Sequence, residues 1–311
     1  MKQDKAAINT QKSVKTHASV SRRTFRSMAV SLAALMLLIS GLSALVSCGS
    51  DKPTDYKYKL TVTDATIQGL ENKELESLKL PASIDGVPVT RIGNKAFAEC
   101  VAVTSVDMPD SVTEIGVEAF ANCVSLSKVS FSKSLTTVGG SAFTGCSALS
   151  SVSLPDSVSE IGYYAFSNCS SLTKINIPPS VTVLNPYVFY GCSKLSSITI
   201  PETVTSIERY SFMECSSLKK IAIPKKVEII ETGAFKNCTE LSGVDIPNSV
   251  TTIKADAFNG CTKLTKIEIP ITVRSIGNNA FANCPDLTIY GKKGSEAEVY
   301  ARANNISFKE M

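Results

Sequence analysis

The sequence predicts a repeat solenoid, rich in β-structure, with parallel strand ladders, short helical turns and a cap at each end. Three observations carry this prediction. Nine cysteines (Cys100, Cys123, Cys146, Cys169, Cys192, Cys215, Cys238, Cys261 and Cys284) stand 23 residues apart without slippage. Each follows a residue pair ending in Phe by two residues, from Ala96-Phe97 to Ala280-Phe281. Apolar residues then recur at fixed offsets after every cysteine. A coil of this length cannot bury its own apolar stripe, so copies stack and bury a continuous core between them.

Residues 1–47 form the first element, an export signal. They hold seven of the 32 Lys and Arg and one of the 28 Asp and Glu. Ser21-Arg22-Arg23-Thr24-Phe25 precedes an apolar run from Met28 to Val46. A basic region, an apolar stretch and small residues before a cut describe such a signal. The arginine pair resembles a twin-arginine signal, with the general secretory route as the alternative. Leu45-Val46-Ser47-Cys48 resembles the bacterial lipobox. In proteins with that motif the cysteine is acylated, so the resemblance implies lipid on Cys48 and an anchor in the bacterial cell envelope, with the exposed face of the outer membrane as the expected location. Two or more acyl chains hold a protein stably, at about 0.8 kcal/mol per buried methylene. The competing reading is a spanning anchor, which Ser31, Ser40, Gly41 and Ser43 dilute. Residues 48–55 then read as a short flexible lipidated tether.

Residues 56–95 are read as an N-terminal cap with a first atypical repeat. Tyr56 to Val62 alternates as a half-buried strand does. Leu78-Lys79-Leu80-Pro81 matches the strand of later repeats, and Ile84 to Gly93 is a first turn with about five extra residues.

Residues 96–290 are the regular solenoid. Leu or Val lies three residues after each cysteine, and Val or Ile six after, as at Leu126 and Val129. A further apolar residue lies eight after, such as Leu154 or Ile177. The spacing of two puts the last pair on one face of a strand. Proline follows in seven repeats, with Ser132 the exception, and ends the ladder because it lacks an amide donor. A second extended piece follows, such as Val158 to Ile161. Gly116, Gly139, Gly162 and Gly277 read as tight bends. The Phe and Cys segment then closes the coil as a helical turn.

These repeats closely resemble the leucine-rich repeats of the BspA type (Bacteroides surface protein A and treponemal proteins) over roughly residues 78–290. The resemblance implies a bacterial surface or secreted protein. Several members are adhesins for host matrix proteins or for other bacteria, so it also implies a protein or glycan partner on a host or bacterial surface.

Residues 291–311 are the C-terminal cap. Asp286 to Tyr290 breaks the period, and Ser295-Glu296-Ala297-Glu298 has the spacing of a capping box. A helix through Ala303 should follow, ended by Asn304-Asn305, with Ile306 to Phe308 as a last strand.

Composition narrows the function. Without the leader, 25 basic residues face 27 acidic ones, a net of −2, which argues against nucleic acid as a partner. The lone histidine, His17, lies in the leader, so serine or cysteine catalysis with histidine and His-ligated metals are excluded from the mature chain. No cofactor motif, carboxylate pair or metal spacing stands out, and the chain reads as non-enzymatic. The nine cysteines run in a line rather than converging, so they read as buried free thiols.

Two surface series remain as candidate ligand-binding residues. Five residues after each cysteine the chain reads Ser105, Lys128, Ser151, Lys174, Ser197, Lys220, Gly243 and Lys266. Lysine alternates with a small residue, either for solubility or as a face for an acidic protein or glycan, with Lys219 adding to the basic patch. Tyr164, Tyr187 and Tyr210 recur one per coil, either as packing or as an aromatic binding ladder. The expected function is a cell-surface lipoprotein whose solenoid binds a protein or glycan ligand. The alternative is a structural or accessory envelope lipoprotein with bacterial partners.

Overall fold

The computed structural model describes residues 55–71 and 74–311. The export signal, the lipobox with Cys48 and the tether up to residue 54 lie outside the described residues.

Each coil has three sides. The front side carries the strand that precedes the proline: Ser77–Lys79, Ser105–Asp107, Lys128–Ser130, Ser151–Val152, Lys174–Ile175, Lys220–Ala222, Gly243–Asp245 and Lys266–Glu268. Paired neighbours run parallel, each residue opposite its counterpart in the next coil, as in Ser105↔Lys128 and Lys220↔Gly243. The back side carries short strands from Glu114–Ile115 to Ser275–Ile276, again in parallel register. Alternation decides the burial: in Lys220-Ile221-Ala222 only the isoleucine points inward.

The third side is a chain of turns, where the sequence predicted a helical one. Its backbone alternates handedness. The residue five before each cysteine has positive φ, from Lys95 at 58° through Tyr187 at 59° to Asn279 at 58°. So does the residue immediately before each cysteine, such as Asn122 at 59° and Gly191 at 69°. A left-handed residue every fourth position prevents a helix from propagating. It also turns alternate amides outward to the next coil. Phe97 N–H donates to Ala119 O (2.7 Å) and Glu99 N–H to Ala121 O (2.7 Å), while Ala98 and Cys100 bond back within the coil.

Inside, the nine phenylalanines are buried and stacked, with centroids 5.1–5.4 Å apart at most steps. The cysteines form a second column of free thiols, and each does more than fill space. From Cys123 to Cys284 every thiol donates to the carbonyl of the phenylalanine in the preceding coil, as Cys192 does to Phe166 O at 3.1 Å. Burial holds the thiols protonated, pushing Cys123 and Cys192 up to about 12.

The glycines read as bends serve another purpose. Gly116 and Gly139 do not need positive φ; a Cβ on Gly139 would lie 2.7 Å from the Gly116 carbonyl carbon. They let successive coils approach closely.

Both ladders are interrupted near the middle, one coil apart, and the front one also between Ser130 and Ser151 and between Asp245 and Lys266. Between Ile161 and Val183 on the back side, and on both sides of Ser197 at the front, no strand pairing forms. Side-chain amides bridge nearby: Asn185 Nδ2 donates to Ile161 O, and Asn176 exchanges two bonds with Leu154, all at 2.8 Å. The Phe166–Phe189 centroids widen to 6.1 Å, yet Tyr164 and Tyr187 on the turn side close to 4.4 Å. These coils therefore stand further apart at the phenylalanine column and stay tight along the turns.

Both ends are covered. Tyr56–Leu60 pairs antiparallel with Ala65–Leu70 at the N-terminal end, and a hairpin of Ser83–Ile84 with Val87–Ile92 accommodates the extra residues. At the other end Thr288–Gly291 pairs with Ser307–Glu310, and a helix runs over Glu296–Ala303 between them. The capping box does not close as the sequence suggested. The Ser295 hydroxyl is buried and unbonded, and Glu298 instead accepts the Gly294 amide (2.6 Å) while pairing with Arg302 (2.7 Å). Tyr300 completes the last rung. With no coil beyond it, Phe281 N–H donates to the Tyr300 hydroxyl (3.2 Å), and the two rings meet edge to face.

Candidate functional site

The front ladder brings the lysine series into one column. Lys128, Lys174, Lys220 and Lys266 all point outward and are exposed, separated by Ser151, Ser197 and Gly243. Two coils separate successive lysines, about 10 Å at the spacing of neighbouring strands. The stem of Lys220 lies along the next coil, its Cγ 3.4 Å from where a Gly243 Cβ would stand.

The four lysines are not equivalent. Lys266 pairs with Glu268 at 2.8 Å and sits 4.8 Å from the centre of the Tyr290 ring. The Glu268 carboxylate raises its pKa, first by hydrogen bonding and then by its charge. Lys128, Lys174, Lys220 and Lys219 have no ion pair among the described residues.

The columns beside them explain why. The outward front positions of these coils are Ser127, Ser130, Ser150, Ser151, Ser153, Thr173, Asn176, Ser196, Ser197, Thr199 and Ala222. None is acidic. Asp107 bounds this strip at one end and Asp245 at the other. A molecule near neutrality thus gathers four unpaired cations on a hydroxyl-rich surface. Such a strip attracts anions over roughly a Debye length, about 8 Å at physiological salt.

The front interruption shapes the middle of the strip. Ser197, Ile198 and Thr199 take no part in the ladder, and a shallow depression of about 330 Å³ opens there. Lys174, Asn176, Ser197, Thr199 and Pro201 line it. Sequence inspection finds the lysines but not this depression, whose only advance sign is the asparagine at position 176.

The tyrosines lie elsewhere, on the turn side. Tyr164, Tyr187 and Tyr210 stack at 4.4 and 4.9 Å, nearly parallel, at left-handed positions. The end ring of Tyr210 covers Gly233. Inner faces are therefore occupied by other rings, and the stack presents edges and hydroxyls. Partial burial, then the Tyr164 hydroxyl, raises the pKa of Tyr187. Beside the stack, Tyr163 is exposed and lies over Gly140.

Among the described residues no group of His, Cys, Asp or Glu could hold a metal ion, and no helix is long and apolar enough to cross a membrane.

A short stacked coil with a leucine in the core and a brief outward-facing strand on one side defines a leucine-rich repeat protein. The family model of the BspA type leucine-rich repeat region (six copies) matches residues 68–196 and 182–294, and the chain belongs to that family. Among solved structures, a leucine-rich repeat protein of T. pallidum (TpLRR) is 22% identical, covering 85% of this chain and 98% of its own, with a TM-score of 0.49. A leucine-rich cell surface protein of Faecalibacterium prausnitzii is 24% identical over 86% and 99%, with a TM-score of 0.38. The pneumococcal vaccine antigen PcpA is 18% identical over 84% and 98%, with a TM-score of 0.42. No curated protein matches the chain at a significant level.

Proposed function

We propose that this protein is a non-enzymatic surface lipoprotein, anchored through Cys48, whose front ladder binds an acidic protein or glycan on a neighbouring host or bacterial surface. The observation that supports this most is the strip of Lys128, Lys174, Lys219 and Lys220, free of carboxylates between Asp107 and Asp245. Solubility alone does not require cations to be segregated from anions, since mixed charge keeps a surface soluble as well. A solenoid also suits the role, since stacking extends one uniform surface over many coils.

Two measurements test it. Protease added to intact cells should digest the protein; full protection would place it facing inward and favour the structural envelope role. Replacing Lys128, Lys174, Lys219 and Lys220 with Glu should weaken adhesion of cells that display it, and unchanged adhesion would remove this face as the binding surface.

A further inference from the structure

We infer that the front strip is built for a linear acidic polysaccharide, with one anionic group per disaccharide, lying along the solenoid axis. This rests on the front ladder being the binding face and goes further by naming the ligand's chemistry and direction.

Three observations meet on this class. Lysine recurs every second coil, at Lys128, Lys174 and Lys220, while the intervening coils present Ser151 and Ser197. The resulting step of about 10 Å is close to the length of two pyranose rings in an extended chain. A polymer whose every second sugar carries a carboxylate or sulfate would set one anion opposite each lysine. The neutral sugar between them would lie over a small hydroxyl residue.

The charge pattern is the second observation. Complementarity is confined to the strip, because the next lysine in the series, Lys266, is neutralised by Glu268. The register therefore ends after three sites. An acidic protein surface has no reason to match a fixed step of two coils, whereas a polymer repeat does.

The depression at Ser197 is the third. It lies between Lys174 and the Ser197 coil, where the intervening sugar would sit, and Ser197 and Thr199 in its lining offer hydroxyl partners for ring hydroxyls. The edge of Pro201 supplies an apolar contact for the C–H face of a sugar.

The test titrates the full-length protein in detergent with size-fractionated oligosaccharides of an alternating uronate polysaccharide. Affinity should rise with each added disaccharide up to a hexasaccharide and then level off. It should fall tenfold or more between about 0.05 and 0.5 M salt. Replacing Lys128, Lys174 and Lys220 with Ser, the residue native to the coils between, should weaken binding by about tenfold or more, taking each exposed contact at about 0.5 kcal/mol. Lys266→Ser should stay within twofold of the parent. A carboxyl-reduced polymer should not bind. Equal binding by the triple variant, or affinity that does not depend on length, overturns the inference. If the lysine variants abolish cell adhesion but no acidic oligosaccharide binds, the front face stands and the polysaccharide is excluded in favour of an acidic protein.

Discussion

Raising the pH of the reduced protein should unfold it near about pH 10, because its thiols cannot ionise while folded. Seven thiols, from Cys123 to Cys261, are fully shielded from solvent. Burial, the largest cause, raises the pKa of each above the ordinary 9.0. The sign follows from proton counting. The unfolded chain releases these protons from pH 9 upward while the folded chain keeps them, so stability is complete below pH 9 and is lost as pH rises above it. One unit above its pKa, each unfolded thiol stabilises the unfolded state by about 1.4 kcal/mol. Seven such groups give about 10 kcal/mol, comparable to the whole stability of a typical domain, about 5–15 kcal/mol. Urea unfolding followed by circular dichroism at intervals from about pH 8 to 11, with reductant and chelator present, measures this directly. A stability that stays flat through that range would refute the buried thiol column. A variant with Cys146, Cys192 and Cys238 replaced by Ala should lose stability less steeply with pH, with four ionising groups in place of seven.

Other outcomes follow from single contacts. Tyr300→Phe keeps the ring against Phe281 but removes the acceptor for its amide, and an unpaired buried donor costs about 1–3 kcal/mol. That should lower Tm by a few degrees and speed hydrogen exchange at the last rung; unaltered exchange there would disprove the capping role. Cys192→Ser retains a donor for Phe166 O but buries a more polar group, so Tm should fall while ligand binding is unchanged, and native mass spectrometry should detect nine free thiols in the parent protein. Gly139→Ala drives a Cβ into the backbone of the preceding coil and should destabilise more than Gly243→Ala, where the nearest atoms belong to the flexible Lys220 stem at 3.4 Å; equal losses by thermal melting would show that close stacking is not the reason for the glycine.

Much of the fold was legible because its cause is periodic. The constant step between cysteines fixes the stacking, the offsets after each cysteine fix which residues face inward, and the broken period after Asp286 marks the cap. What escaped sequence inspection depends on the neighbouring coil. The partner of each thiol is a carbonyl in the preceding coil, and nothing in a linear pattern distinguishes a donor from a small apolar filler. The glycines were misassigned for the same reason, since what crowds Gly139 belongs to Gly116. The turns did carry a signal. Asn122, Gly145, Asn168, Gly191, Asn237, Gly260 and Asn283 precede their cysteines, and these are the residue types that tolerate positive φ. The tyrosines at such positions gave no warning, because a bulky residue there runs against local preference and is held by stacking. For the candidate site, the lysine period was visible, whereas the neutralised Lys266 and the depression at Ser197 required the packed coils.

The most direct test of the account compares two variants of the displayed full-length protein in one cell-adhesion assay. The first replaces Lys128, Lys174 and Lys220 with Ser, and the second replaces Tyr164, Tyr187 and Tyr210 with Phe, which keeps the stacked rings. Adhesion should drop toward that of cells lacking the protein in the first and stay at the parent level in the second. Full adhesion in the lysine variant with loss in the tyrosine variant would contradict the account and move the binding surface to the turn side.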